Sequence, residues 1–137
     1  MVTHPFAPVV DENCRTLILG SFPSVKSREN GFYYGHPQNR FWKVIAGIFK
    51  EPLPQTIDEK KELLLRHRIA VWDVIDSCDI VGSSDSSIRN VVPNDMNLIL
   101  SNAKIQGIFA NGGKAHQLFV KCFHKYHKYF LLQLQLK

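Results

Sequence analysis

Three polar clusters in this sequence could do chemistry: Gly20–Asn39, Asp73–Ser87 and Asn111–Lys114. Each follows a short apolar run of strand character. In a parallel sheet all three would lie at the carboxyl edge, where open α/β sheets bind their ligands. Within the first cluster, Asn39 stands just before an aromatic-rich run and can be read in two ways. It is a favoured type for capping a helix, and it can face a ligand at the helix mouth, where anions are also favoured. His36-Pro37 reads as a turn. Tyr33 and Tyr34 point opposite ways if extended, so at least one of them faces a pocket or solvent and the other can be core.

Asn111-Gly112-Gly113-Lys114 invites comparison with a phosphate loop. Gly107 to Lys114 carries one residue too many, and Ala115 stands where Ser or Thr would hold magnesium. A Gly-rich turn into a helix accounts for the stretch; alternatively the Asn111 amide, with donors and an acceptor, reads an edge of a heterocycle. Asp73, Asp76, Asp79 and Asp85 are too irregular for a calcium loop. Asp85-Ser86-Ser87 reads as a hydrogen-bonded turn. Neither a Ser-His-Asp arrangement nor H-E-x-x-H is present.

The elements that must hold these clusters alternate. Met1–Asn13 reads as an extended arm, Thr16–Leu19 as a buried parallel strand, and Ser21–Gln38 as loop. Phe41, Trp42, Ile45, Ile48 and Phe49 share a face of a helix over Arg40–Phe49. Pro52 and Pro54 stop it. Thr56 caps a second helix, Ile57–His67, with Asp58 and Glu59 in its first turn where the helix dipole favours them. Ile69–Val74 is a strand and Ile75–Asn90 a Ser-rich loop. Pro93–Leu100 is a short helix capped by Asn94 or Asp95, Ile105–Ala110 a strand, and Lys114–His124 a helix with Leu118, Phe119 and Cys122 inward. Tyr129–Leu134 is a fourth strand. The alternation predicts a parallel sheet with helices on both faces.

The bulk numbers fit one domain. The chain has 137 residues, 45% of them hydrophobic, a formal net charge of +5 and a pI near 9.2. That balance suits nucleic acid, a membrane surface or an anionic ligand, or simply solubility. Six lysines and no acid lie from Ser101 onward, interleaved with Phe119, Phe123, Tyr126, Tyr129 and Phe130; this is either a solvated face or a phosphate-binding one. Cys14, Cys78 and Cys122 are odd in number and scattered, which points away from a disulfide framework, a zinc ribbon or an iron–sulfur cluster and towards a reducing compartment. The N-terminus lacks a secretory pattern, and no apolar run approaches membrane-spanning length.

Together, LILGSFPS (from Leu17) and GFYYGHPQNRFWKVI (from Gly31) resemble the opening motifs of the uracil-DNA glycosylase superfamily. The closest resemblance is to its hypoxanthine-DNA glycosylase (DNA-deoxyinosine glycosylase) group. Trp72-Asp73-Val74, Gly82–Ile88 and Phe109-Ala110-Asn111-Gly112 support it, and the match runs from about Val9 to Phe123. The resemblance implies a three-layer α/β/α sandwich around a four-stranded parallel sheet, within a single domain over residues 1–137. It implies a monofunctional hydrolase that flips a deaminated base out of DNA and cleaves its N-glycosidic bond, the base being hypoxanthine, with no cofactor and no metal. The partner is damaged DNA, single- or double-stranded. No membrane is involved, and a monomer in the cytoplasm is expected, intracellular and nucleoid-associated or nuclear depending on its source.

The resemblance also assigns roles. Many members carry an acid or amide where this chain has Phe22, and a phenyl ring cannot orient water. In the hypoxanthine group the weight falls on the Asn of H-P-x-N, here Asn39, which aligns water through its carbonyl. Asn111 matches the amide that contacts the flipped base. Phe22, Tyr33, Tyr34 and His36 complete the base pocket, one aromatic from Phe32–Tyr34 stacking on the base, while Lys26, Arg40 and Lys114 hold DNA phosphates. Relatives carry a further Ser/Pro-bearing loop and a final helix, which Leu131–Lys137 does not match. The chain therefore reads as truncated, with weak or absent activity on duplex DNA and an uncovered LLQLQL edge open to pairing. Two rivals follow: an incomplete relative that at most binds DNA, and a small-nucleotide-binding domain using the Asn111–Lys114 turn.

Overall fold

Strand β2 (Thr16–Gly20) is the centre of the molecule, since every residue from Leu17 to Gly20 is buried. Burying side chains such as Leu17 and Leu19 contributes about 1.5–3 kcal/mol each, and a strand apolar on both faces has to be covered on both. In the computed structural model, which describes residues 1–123 and the backbone of Phe130–Leu134, β2 pairs in parallel with β3 (Ile69–Asp73) on one side and β6 (Gly107–Asn111) on the other. Strand β7 (Phe130–Leu134) lies parallel beside β6, giving the order β3-β2-β6-β7. The register sets Gly20 opposite Asp73. Expectations about residues 124–129 and 135–137, among them the end of the last helix at His124 and most of the divergent tail, fall outside the described residues.

Three helices match the apolar periodicity. In α2 (Phe41–Ile48), Phe41, Trp42, Ile45 and Ala46 are buried. Ile48, expected on that face, is 63% exposed, and Phe49 leaves the helix to stack on His67 at 3.8 Å. Helix α3 (Ile57–Arg66) opens with a complete capping box between Thr56 and Glu59. Helix α5 (Gly113–Phe123) buries Leu118 and Phe119 and leaves Cys122 half-buried.

Elsewhere the structure departs from the sequence reading. The loop expected over Ile75–Asn90 contains β4 (Ile75–Asp79) and runs into β5 (Arg89–Pro93), which pair antiparallel. The arm at the N-terminus contributes β1 (Val2–Thr3), completing a second sheet of order β1-β4-β5. Val9 bridges Val71 of β3 as well, so the arm touches both sheets. The loop after β2 contains α1 (Val25–Asn30), capped by Ser24 and closed by Gly31 at φ 75°. A six-residue polar helix has no apolar stripe to reveal it. Helix α4 is confined to Asn97–Leu100. Asp95 accepts from Asn97 N–H at 3.0 Å, while Asn94 donates to the Asp73 carbonyl at 2.9 Å and so fixes the end of β3. No helix among the described residues is long and apolar enough to cross a membrane.

Candidate active site

A cavity of about 140 Å³ opens where β2 and β3 end. Gly20 to Ser24 form one side, Tyr33, Tyr34 and Asn39 another, and Asp73, Ser83 and Asp85 close it. Drug-sized ligands occupy roughly 300–1,000 Å³, so this space suits one small ring system.

Gly20 is needed because of what crowds it. A Cβ there would sit 2.4 Å from Asp73 Oδ1 and 3.3 Å from the Tyr34 hydroxyl. The strand end is therefore packed with polar atoms from two other segments. Tyr34 reaches this position with φ 53°, a left-handed conformation that costs a bulky residue of order 1–3 kcal/mol. Stacking on Phe41 at 3.9 Å offsets that cost. Its hydroxyl meets the Asn111 side chain. Burial first, and the Asp73 carboxylate second, push the Tyr34 phenol well above its ordinary pKa, while the Asn111 hydrogen bond opposes them. Burial, then Asp73, then Tyr34 raise the Tyr33 phenol in the same direction. Both phenols stay protonated at neutral pH.

The candidate residues divide. Phe22, Tyr33, Tyr34 and Asn39 line the cavity. Tyr33 does so as a core side chain, 2% exposed, its hydroxyl donating to the Ala7 carbonyl at 2.9 Å. Asn39 stands one residue before the N-cap of α2, which is Arg40: its Oδ1 accepts from Phe41 N–H at 2.8 Å, and the residue borders the cavity. An amide oxygen has a second lone pair, and the NH2 two donors. His36 is exposed and outside the lining, and its Nδ1 accepts from Gln38 N–H at 3.1 Å, as a turn residue would. Asn111 is fully buried at the end of β6, outside the lining, and reaches the cavity wall through Tyr34. Lys26 is exposed and pairs with Glu29 at 3.5 Å; Arg40 is exposed at the start of α2 and Lys114 half-buried in the first turn of α5. None of these three cations lines the cavity.

Sequence reasoning counted Ser21, Asp73, Ser83 and Asp85 only as members of the polar clusters, without individual roles, and gave His4 no place in the site. Ser21 Oγ donates to Asp85 Oδ1 at 3.1 Å, and Ser83 Oγ accepts from Val25 N–H at 2.8 Å, which ties α1 to the β4–β5 connection. Asp73 closes β3, 4% exposed, and His4 Nε2 lies 2.7 Å from its Oδ2. Asp73 had a signal in Trp72-Asp73-Val74; His4 had none. Among the described residues, no group of three or more His, Cys, Asp or Glu side chains is placed to hold a metal ion.

Comparison with known proteins places this architecture. The family description "Uracil DNA glycosylase superfamily" matches residues 7–135. A protein of Methanosarcina acetivorans named hypoxanthine DNA glycosylase is 39% identical over 117 residues, covering 84% of this chain and 74% of that protein. One of the same name from Methanosarcina barkeri is 36% identical over 118 residues, with the same coverage. The solution NMR structure of a candidate uracil DNA glycosylase from Methanosarcina acetivorans superposes with a TM-score of 0.82 at 32% identity, over 98% of this chain and 84% of that one. A parallel sheet with its polar cavity at the strand ends, matched over nearly its whole length by sequence and by structure, belongs to the uracil DNA glycosylase superfamily.

Proposed function

We propose that this chain is a monofunctional DNA glycosylase that releases hypoxanthine from deoxyinosine-containing DNA. The observation that carries it is the placing of Asn39, Phe22 and Tyr34 around one small cavity, in a chain whose relatives are named for that base. The flipped base enters between the aromatic side chains, and Asn39 aligns water for attack on C1′ as the sugar gains oxocarbenium character. The buried Tyr34 hydroxyl, linked to Asn111, offers a donor at the cavity wall. Lys26, Arg40 and Lys114 contact phosphates outside the cavity. The fold reading that accompanies this is a three-layer α/β/α sandwich around a four-stranded parallel sheet, one domain acting intracellularly as a monomer.

The test is base release from single- and double-stranded oligonucleotides carrying deoxyinosine, deoxyuridine or deoxyxanthosine. Hypoxanthine is released fastest, and Asn39→Ala abolishes the release. Wild-type turnover in that variant would remove Asn39 from the chemistry. Salt-sensitive binding without release of any base would favour the incomplete relative.

A further inference from the structure

Resting on the glycosylase reading, one step remains without an agent. Water attacking C1′ must lose a proton, and the Asn39 amide cannot take one at neutral pH. Two carboxylates line the cavity, Asp73 and Asp85. Asp85 sits in the Ser-rich connection, half-exposed, with Ser21 Oγ on its Oδ1. Asp73 is nearly sealed and held from behind. His4 comes from the arm that β1 anchors, its backbone N–H donating to the Asp76 carbonyl at 2.7 Å. Its side chain is 3% exposed and lies edge-on to Phe6 and Phe22. His4 Nδ1 accepts from Phe6 N–H at 3.5 Å, so the ring proton is at Nε2 and donates to Asp73 Oδ2 at 2.7 Å. Oδ1 is thereby left towards Gly20, Tyr34 and the cavity.

We propose that Asp73 is the proton acceptor for the hydrolytic water that Asn39 aligns, and that His4 is the positioning residue that holds its carboxylate. The water oxygen bonds to C1′ and the C1′–N9 bond breaks, its electron pair leaving with the purine. One water proton passes to Asp73 Oδ1 and then to the departing purine anion, which leaves hypoxanthine and an abasic sugar. The carboxylate also places negative charge near the sugar as positive charge develops there. An acid missing from the loop after β2, where Phe22 stands, is supplied by the neighbouring strand end, opposite Gly20 in register.

The experiment is single-turnover release of hypoxanthine from a single-stranded deoxyinosine oligonucleotide by the full chain, with abasic-oligonucleotide binding and thermal melting measured alongside. Asp73→Asn lowers the rate about 100-fold, the usual worth of a general base, and binding changes by less than about threefold, since the loss lies in the transition state. Sodium formate restores part of the rate to Asp73→Ala, which a merely structural carboxylate would not allow. His4→Gln, which keeps an N–H donor, holds most of the rate, whereas His4→Phe loses it; this pair decides the matter if Asp73→Ala does not fold. A near-wild-type rate in Asp73→Asn, a larger loss in Asp85→Asn, or His4→Phe matching His4→Gln overturns the proposal. A wild-type chain that releases no base from any of the three substrates overturns the glycosylase reading, and this inference with it.

Discussion

Asn39 has a structural tie beside the chemistry proposed for it. Because Oδ1 accepts from the Phe41 N–H, the first of α2, Asn39→Ala leaves a helix N–H without its side-chain acceptor, a loss of about 1 kcal/mol, along with whatever the amide does in the cavity. Asn39→Asp keeps the acceptor and adds charge that the helix N-terminus favours. Chemical denaturation therefore finds Asn39→Ala less stable by about that amount and Asn39→Asp close to wild type. Equal stability of all three would remove this structural role. Gly20 gives a second prediction. In Gly20→Ala the new methyl meets Asp73 Oδ1 at a projected 2.4 Å, and overpacking of this kind costs about 1–3 kcal/mol. Asp73 must move away from its place beside Tyr34, so base release falls more than stability does. A variant as active and as stable as wild type would show that the strand end is looser than drawn.

Secondary-structure elements differ in how much of their stability is local, and that decides which of them the sequence announces. Helix α3 carries its own start signal in Thr56 and Glu59, and Thr56→Ala should cost about 1 kcal/mol, read as a lower midpoint in urea. At its far end Glu51 meets Arg66 at 2.5 Å and also His67. Arg66 first, then His67, hold the Glu51 carboxyl below its ordinary range. A depressed carboxylate contributes stability above its unfolded pKa and loses it as pH falls through the folded one. Wild type is thus more stable than Glu51→Gln at neutral pH, and the gap closes on acidification. A gap unchanged down to low pH would contradict the pairing. Helix α1 was invisible because little in it is local. It buries only Ser27 and depends on Ser83 Oγ and on the Gly82 carbonyl, which accepts from Arg28 at 2.6 Å. Strand β4 was hidden for a related reason: its Asp76 and Asp79 suggested a loop, while Ile75 and Cys78 are fully buried against partners that the second sheet supplies.

Across the whole molecule, a parallel sheet and a small antiparallel one meet at the cavity, since β3 and β4 are separated by Val74 alone. Charge is arranged differently from chemistry. The cavity has carboxylates in its lining, while Lys26, Arg40 and Lys114 lie outside it. A strand bound through three such cations loses affinity with a log–log salt slope of about −2, or roughly 16-fold weaker binding between 50 and 200 mM salt. Replacing all three by Gln flattens that slope; a slope unchanged by the replacement would move the phosphate contacts elsewhere.

The amino-acid order by itself determined what short-range physics encodes: apolar runs that become buried strands, helical spacing in α2, α3 and α5, a capping box, and the loop that brings Phe22, Tyr34 and Asn39 together. It also carried the motifs by which the family was legible. Tertiary structure alone decided that Tyr33 lines the cavity as a core side chain while Tyr34 reaches it in a left-handed conformation, that Asn111 lies outside the lining against the Tyr34 hydroxyl, and that His36 stays in a turn. It alone joined His4 to Asp73, which are 69 positions apart. No periodicity, cap or turn preference links residues at that separation. Their contact exists because the N-terminal arm pairs with β4 and the end of β3 lies beside it, a consequence of the packed fold as a whole.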